Sequence, residues 1–91
     1  MDVFYSKKLT IFVPETYFVL VVCAYSSDKN SDEVPHCLVF DEDSDFFVGK
    51  VRLSDCTLFD VQYELSDADK NRILITAYRN QFIMERFYNE R

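Results

Sequence analysis

The chain has 91 residues, a usual length for one domain. It is 48% hydrophobic and 16% aromatic, unlike the weakly hydrophobic, highly charged chains that stay disordered. With one Gly, one His and no Trp, it is poor in the residues that phosphate-binding loops, nucleophile elbows and acid–base centres require. We therefore expect a single domain over residues 1–91 that is not an enzyme and uses no cofactor.

The first predicted element is a hairpin near the amino terminus. Apolar side chains alternate with other residues over 9–13, residues 14–16 break the pattern, and residues 17–25 are apolar on both faces. The second arm is rich in β-branched residues and is typical of a central strand that is covered on both sides. Because residues 14 and 15, Pro and Glu, interrupt the apolar stretch, we expect no secretory signal. Because the uninterrupted apolar run over residues 17–25 is nine residues long, we expect no membrane span either.

A polar loop over residues 26–33 follows, rich in Asp, Asn and Ser. Two short strands are then predicted over residues 37–40 and 46–53. The acid-rich turn 41–45 between them is expected to project into water. The clearest single strand is predicted over residues 57–65, where apolar and polar side chains alternate.

The carboxyl-terminal part allows two descriptions. Ser66 and Asp69 have the spacing of a helix capping box. One long helix would nevertheless scatter its apolar residues round its whole circumference. We therefore predict a strand over residues 72–78, a segment left open between strand and helix, and a helix that begins after Asn80, a good N-cap residue. That helix would present a common apolar face of Ile83, Met84, Phe87 and Tyr88.

The fold class predicted from these elements is α+β. It is a mainly antiparallel sheet of about six strands with one C-terminal helix over part of one face. An all-β sandwich or barrel is the alternative.

Residue patterns for catalysis or metal binding are weak. Residues 41, 43 and 45 are Asp, as at the start of a calcium-binding EF-hand loop, but the positions that need Gly and Glu hold Phe46 and Arg52. The three cysteines, Cys23, Cys37 and Cys56, form no C-x-x-C pair, which favours free thiols over disulfides or a zinc site. We therefore expect no metal and no catalytic role for His36, which has no oxyanion partner in the sequence.

The informative feature is the position of the negative charge. Residues 28–45 hold seven acids against one base, Lys29, and their net charge of −6 equals that of the whole chain. If the fold brought the two acidic loops to one end, they would form one negative patch, extended by Asp67 and Asp69. Such a patch attracts basic partners and repels acidic ones. It is equally consistent with solvated loops that have no partner.

From this pattern we predict a small, cytoplasmic, non-enzymatic inhibitor or immunity-type protein. It would occlude the site of a basic nuclease, toxin or nucleic-acid-binding protein with loop carboxylates that take the place of phosphates. The acidic chain, with a pI near 4.6, is not expected to bind nucleic acid directly, and a homodimer is compatible with its unpaired strand edges. The predicted partner-binding residues are Asp28, Asp32, Glu33, Asp41, Glu42, Asp43, Asp45, Phe46 and Phe47. The alternative is a structural or adaptor subunit that joins a larger assembly through a sheet edge or the C-terminal helix.

Overall fold

The structure, a computed structural model, describes residues 5–25 and 34–89. In these ranges the chain forms five strands followed by two helices. The strands are β1 (Tyr5–Phe12), β2 (Phe18–Tyr25), β3 (His36–Asp41), β4 (Phe46–Arg52) and β5 (Thr57–Phe59). The helices are α1 (Asp67–Arg79) and α2 (Gln81–Asn89).

The strands form one open antiparallel sheet in chain order, β1-β2-β3-β4-β5. The predicted first hairpin is confirmed, with Phe12 opposite Val19 next to the turn. Thr16 closes this turn, because its hydroxyl donates to the Val13 carbonyl at 2.9 Å and accepts from the Phe18 amide at 3.0 Å. The α+β class is therefore correct, while the sandwich or barrel alternative is wrong.

The helices pack on one face of the sheet. Their buried residues share a core with alternate residues of β2 and β3 and with Val48 and Val51 of β4. The core comprises Val13, Phe18, Leu20, Val22, Cys37, Val39, Val48, Val51, Leu53, Leu65, Ile73, Ala77, Met84 and Tyr88. The intervening residues Val19 and Val21 are buried as well, yet they lie outside this core. Strand β2 is thus buried on both faces, as predicted, although the two helices lie on one side only.

The predicted strand over residues 57–65 is wrong beyond Phe59. Asp60 has a φ of 53°, and the Gln62 amide then donates to the Val48 carbonyl at 2.8 Å. Continuous pairing from the Lys50–Phe59 pair would place Val61, not Gln62, opposite Val48. This one-residue bulge disturbs the inward and outward alternation, so the regular sequence pattern does not produce a continuous buried strand face.

The segment after the bulge lies close to β4. A Cβ atom added to Gly49 would lie 3.2 Å from the Cα atom of Val61 and 3.3 Å from the Phe59 carbonyl oxygen. The chain's only glycine therefore stands where two backbone segments meet closely.

The predicted strand over residues 72–78 is also wrong, since these residues belong to α1. The Ser66 hydroxyl caps the helix by accepting from the Asp69 amide at 3.1 Å, at the spacing noted in the sequence. Ile73, Thr76 and Ala77 are the buried positions, and their spacing of three and four residues is helical. The sheet accordingly has five strands rather than about six in the described residues, and there are two helices rather than one.

Asn80 separates the two helices and lets each bury its own face. Its backbone amide and its side-chain amide both donate to the Thr76 carbonyl, at 3.2 and 2.8 Å. Helix α2 begins directly after Asn80, as predicted, and it buries Met84 and Tyr88. Ile83, expected on the same buried face, is exposed. The Gln81 side chain donates to the Leu53 carbonyl at 2.6 Å, so a hydrogen bond connects the start of α2 with the residue that follows β4.

Two isoleucines of α1 test whether residues 72–78 are helical. In a strand, Ile73 and Ile75 would share a face, but in α1 they are 0% and 51% exposed. We expect Ile73→Ala to lower the free energy of unfolding by about 2–5 kcal/mol, and Ile75→Ala by less than about 0.5 kcal/mol. Chemical denaturation measures both values.

If Ile73→Ala fails to fold, Ile73→Val serves in its place, with an expected loss of about 0.5–1.5 kcal/mol. Equal losses at positions 73 and 75 would contradict the helix.

Candidate partner-binding surface

Four of the seven predicted acidic residues lie in the described part of the chain. Asp28, Asp32 and Glu33 lie outside the described residues. Asp41, Glu42, Asp43 and Asp45 form the turn between β3 and β4. Among the predicted acidic residues, the described part of the molecule therefore brings together only those of the turn between β3 and β4.

This turn is a tight one, held by Asp41. The Oδ1 atom of Asp41 accepts from the amides of Asp43 and Ser44, at 3.0 and 3.4 Å. The Asp41 carbonyl accepts from the Asp45 amide at 2.6 Å, and Asp45 has a φ of 62° that Asp tolerates better than most residues. Glu42, Asp43 and Asp45 are exposed, which confirms that the turn projects into water.

Carboxylates from three other segments lie at the same end of the sheet. The Glu42 amide donates to the Tyr17 carbonyl at 2.7 Å and ties this turn to the first hairpin. An open groove of about 460 Å³ lies beside it, lined by Glu15, Thr16, Tyr17, Phe18, Asp41, Tyr63, Glu64, Leu65 and Asp69. We call the acidic end the surface formed by Glu15, Asp41, Glu42, Asp43, Asp45, Glu64 and Asp69.

The electrostatics of Tyr63 reflect this convergence. Burial raises the pKa of the Tyr63 hydroxyl above its ordinary value, and the negative charges of Asp41 and Asp69 raise it further. Asp41 ends β3 whereas Asp69 lies in the first turn of α1, so two distant parts of the chain act on one phenol. Asp69 therefore lies near Asp41 at this end of the sheet.

The two predicted aromatic anchors have different surroundings. Phe46 is half exposed, and its ring centroid lies 5.6 Å from that of Tyr63, at the acidic end. Phe47 is half-buried and packs edge-on against Phe40 at 5.7 Å. Only Phe46 therefore contacts an aromatic residue of the groove at the acidic end.

Sequence reasoning missed Glu15, Tyr17, Tyr63 and Glu64. A signal for the first two was available, because in an antiparallel meander the first and third turns lie at the same end of the sheet. No comparable signal existed for Tyr63 and Glu64, since the bulge at Asp60 decides where they lie.

Two basic residues of β4, Lys50 and Arg52, are held in ion pairs. The Arg52 guanidinium donates to both oxygens of Asp55, at 3.0 and 2.8 Å, and keeps the pKa of that carboxyl low, at about 2. The Lys50 Nζ atom lies 3.6 Å from Asp60 Oδ2. The positive charges of Lys50 and Arg52 are therefore neutralised locally.

The structure assembles no metal site from the residues it describes, where no group of three His, Cys, Asp or Glu side chains is placed to hold an ion. The three cysteines are free, and burial raises the pKa of the Cys37 thiol to about 12. The Nδ1 atom of His36 lies 2.8 Å from the Val34 carbonyl oxygen, and the imidazole packs against the ring of Tyr88 at 5.6 Å. Neither helix in the described ranges is long and apolar enough to cross a membrane.

Comparisons with known proteins assign no family, because no family model, curated protein or solved structure matches this chain.

Tyr63 offers a direct test of the acidic end. We expect Asp69→Asn and Asp41→Asn each to lower the pKa of the Tyr63 hydroxyl, because each removes a negative charge that opposes ionisation. An Asn at position 41 keeps the oxygen that accepts the turn's hydrogen bonds. NMR titration of tyrosine ring carbons, with Tyr63→Phe for assignment, measures the change.

The control is Tyr17→Phe, which preserves both carboxylates and should leave the Tyr63 titration above its ordinary range. An unchanged pKa in both Asn variants would show that Asp41 and Asp69 do not meet at Tyr63.

Proposed function

We propose that this chain is a non-enzymatic binding protein whose acidic end occupies the site of a basic partner. The partner class is a nuclease, a toxin or a nucleic-acid-binding protein whose groove is lined by Arg and Lys. One observation carries the proposal: carboxylates from four chain segments converge around Tyr17, Phe46 and Tyr63 at one end of the sheet.

The turn between β3 and β4 suits this role because its backbone shape is set before binding. The hydrogen bonds of Asp41 hold the chain that carries Glu42, Asp43 and Asp45. A preformed loop loses less conformational entropy on association than a flexible one. Exposed carboxylates accept paired hydrogen bonds from Arg, as phosphates do.

Exposed aromatic rings supply the apolar part of such an interface. Tyr17 is exposed, and the Phe46 and Tyr63 rings lie in contact next to the groove. Binding energy at protein interfaces concentrates in aromatic and Arg anchors, with charged groups steering the approach. Glu15 contributes less charge than the other acids, because it is paired with Arg72.

A position-matched charge experiment tests the proposal. The double variant Glu42→Gln, Asp43→Asn removes two charges from the acidic end while Asp41 still holds the turn. The control Asp60→Asn, Glu85→Gln removes two charges elsewhere on the described surface. We expect the first to bind a hexa-arginine peptide about 2- to 30-fold more weakly than the wild type, as loss of two exposed ion pairs predicts.

Fluorescence anisotropy at low and high salt measures these affinities, and wild-type binding should weaken as salt rises. Affinity capture from the native source then uses the same variants. We expect the wild type and the Asp60→Asn, Glu85→Gln control to retain a basic protein more strongly than the Glu42→Gln, Asp43→Asn variant does. Equal weakening by both double variants would mean that net charge acts without a site, and would overturn the proposal.

A second candidate function, an adaptor subunit, is favoured by the outer surface of the helices. Ile75, Tyr78, Phe82 and Ile83 are all exposed there, with Tyr78 at 71% and Phe82 at 87%. Clusters of exposed apolar residues mark interaction surfaces.

The two functions differ in the variants that affect them. If the chain is an adaptor, Tyr78→Ala with Phe82→Ala should abolish retention of a captured partner at every salt concentration, while the Glu42, Asp43 variant should retain it. If the chain is an inhibitor, the Glu42→Gln, Asp43→Asn variant should lose the partner and the Tyr78→Ala, Phe82→Ala variant should retain it. Circular dichroism checks that each variant is folded.

A further inference from the structure

The face of the sheet opposite the helices carries an open apolar groove. Its volume is about 400 Å³, and it is lined by Lys8, Thr10, Val19, Val21, Cys23, Leu38, Phe40, Glu42 and Asp45. These residues come from β1, β2, β3 and the turn after β3, and none belongs to the core shared with the helices. We call this surface the open face.

The floor of the open face is continuous across three strands. Val21 pairs with Thr10 on one side and with Leu38 on the other, and Val19 pairs with Phe12 and Phe40. The edge-on contact between Phe40 and Phe47 extends the apolar surface onto β4. A sheet face of this composition normally packs against another layer about 10 Å away.

Charges of opposite sign stand at the two ends of the groove. Lys8 pairs with Cys23 at one end, where its positive charge opposes the rise that burial causes in the pKa of the Cys23 thiol. Glu42 and Asp45 stand at the other end, next to the pair formed by Phe18 and Asp41. The ends are separated by the length of β2 from Val19 to Cys23, roughly 14 Å at the usual rise per residue.

We infer that the open face binds a second copy of this chain, sheet against sheet. A twofold axis that lies between the two sheets and crosses the groove at its centre exchanges the ends of the groove. Lys8 of each copy then lies over Glu42 and Asp45 of the other, and the apolar floors meet around Val21 and Leu38. The groove is therefore complementary to itself, which is the requirement for a closed, symmetric dimer.

Charge complementarity distinguishes this occupant from others. A uniformly acidic or basic partner would satisfy one end of the groove and be repelled by the other, whereas a second copy satisfies both. The surface is small compared with those of obligate dimers, so the association is weak and depends on concentration.

The experiment uses purified full-length protein in reducing agent and measures its mass by sedimentation equilibrium. We expect the weight-average mass to rise from 10.8 kDa toward twice that value as the concentration increases from micromolar to millimolar. Lys8→Glu and Glu42→Lys should each weaken the dimer by roughly 5- to 30-fold, because each reverses one charge in two symmetric contacts.

Mixing the two variants provides the decisive measurement. In an equimolar mixture, Glu at position 8 of one variant faces Lys at position 42 of the other, and the second contact keeps its original Lys8 and Glu42. The mixture should therefore regain wild-type affinity as a heterodimer. Lys70→Glu, the same charge reversal on the exposed surface of α1, should leave the dimer unchanged.

Three outcomes would overturn the inference. They are a wild-type chain that stays at 10.8 kDa up to millimolar concentration, a mixture that shows no rescue, and a dimer dissociated by Phe82→Ala, which would place the interface on the helices. Because no basic partner is present, a failure here leaves the proposed function of the acidic end untouched.

Discussion

Burial of β2 on both of its faces is the constraint on which the rest of this structure depends. Leu20 and Val22 point to the helices, and Val19 and Val21 point to the opposite side. Strand β2 also has neighbours on both edges, β1 and β3, which pair with its backbone amides and carbonyls. The helices cover one side of the strand, so the other side becomes an apolar groove with charged ends. The core and the open face thus have a common origin in one apolar run of the sequence.

The acidic end follows from the meander and the bulge. Successive antiparallel strands place alternate turns at the same end of the sheet. Glu15 in the first turn and Asp43 in the third therefore lie at the same end. Helix α1 begins at this end, where acidic residues such as Asp69 also stabilise the positive end of the helix dipole. These carboxylates are therefore compatible with folding where they stand, and their repulsion is relieved partly by the pair between Glu15 and Arg72.

Sequence reasoning predicted the elements whose local and tertiary preferences agree. The first hairpin, the acidic turn and the start of α2 all depend on short-range chemistry that neighbouring residues decide. It failed where tertiary contacts override a local pattern. The alternation over residues 57–65 is interrupted by one backbone angle at Asp60. The scatter of apolar residues round one long helix favoured a strand over residues 72–78, whereas the chain forms two helices that meet at Asn80 and bury separate faces. Of the candidate site, the turn and Phe46 were predictable, whereas Tyr63 depends on the bulge.

Gly49 links the interior of the sheet to the chemistry of its acidic end. With no side chain at this position, the backbone of Val61 approaches β4 closely enough for the chain to turn along the sheet margin. Two residues later the same segment presents Tyr63 to Phe46. A side chain at position 49 would press the two backbones apart by a few tenths of an ångström, so the single hydrogen atom of Gly49 lets the segment that carries the Tyr63 phenol lie close against β4.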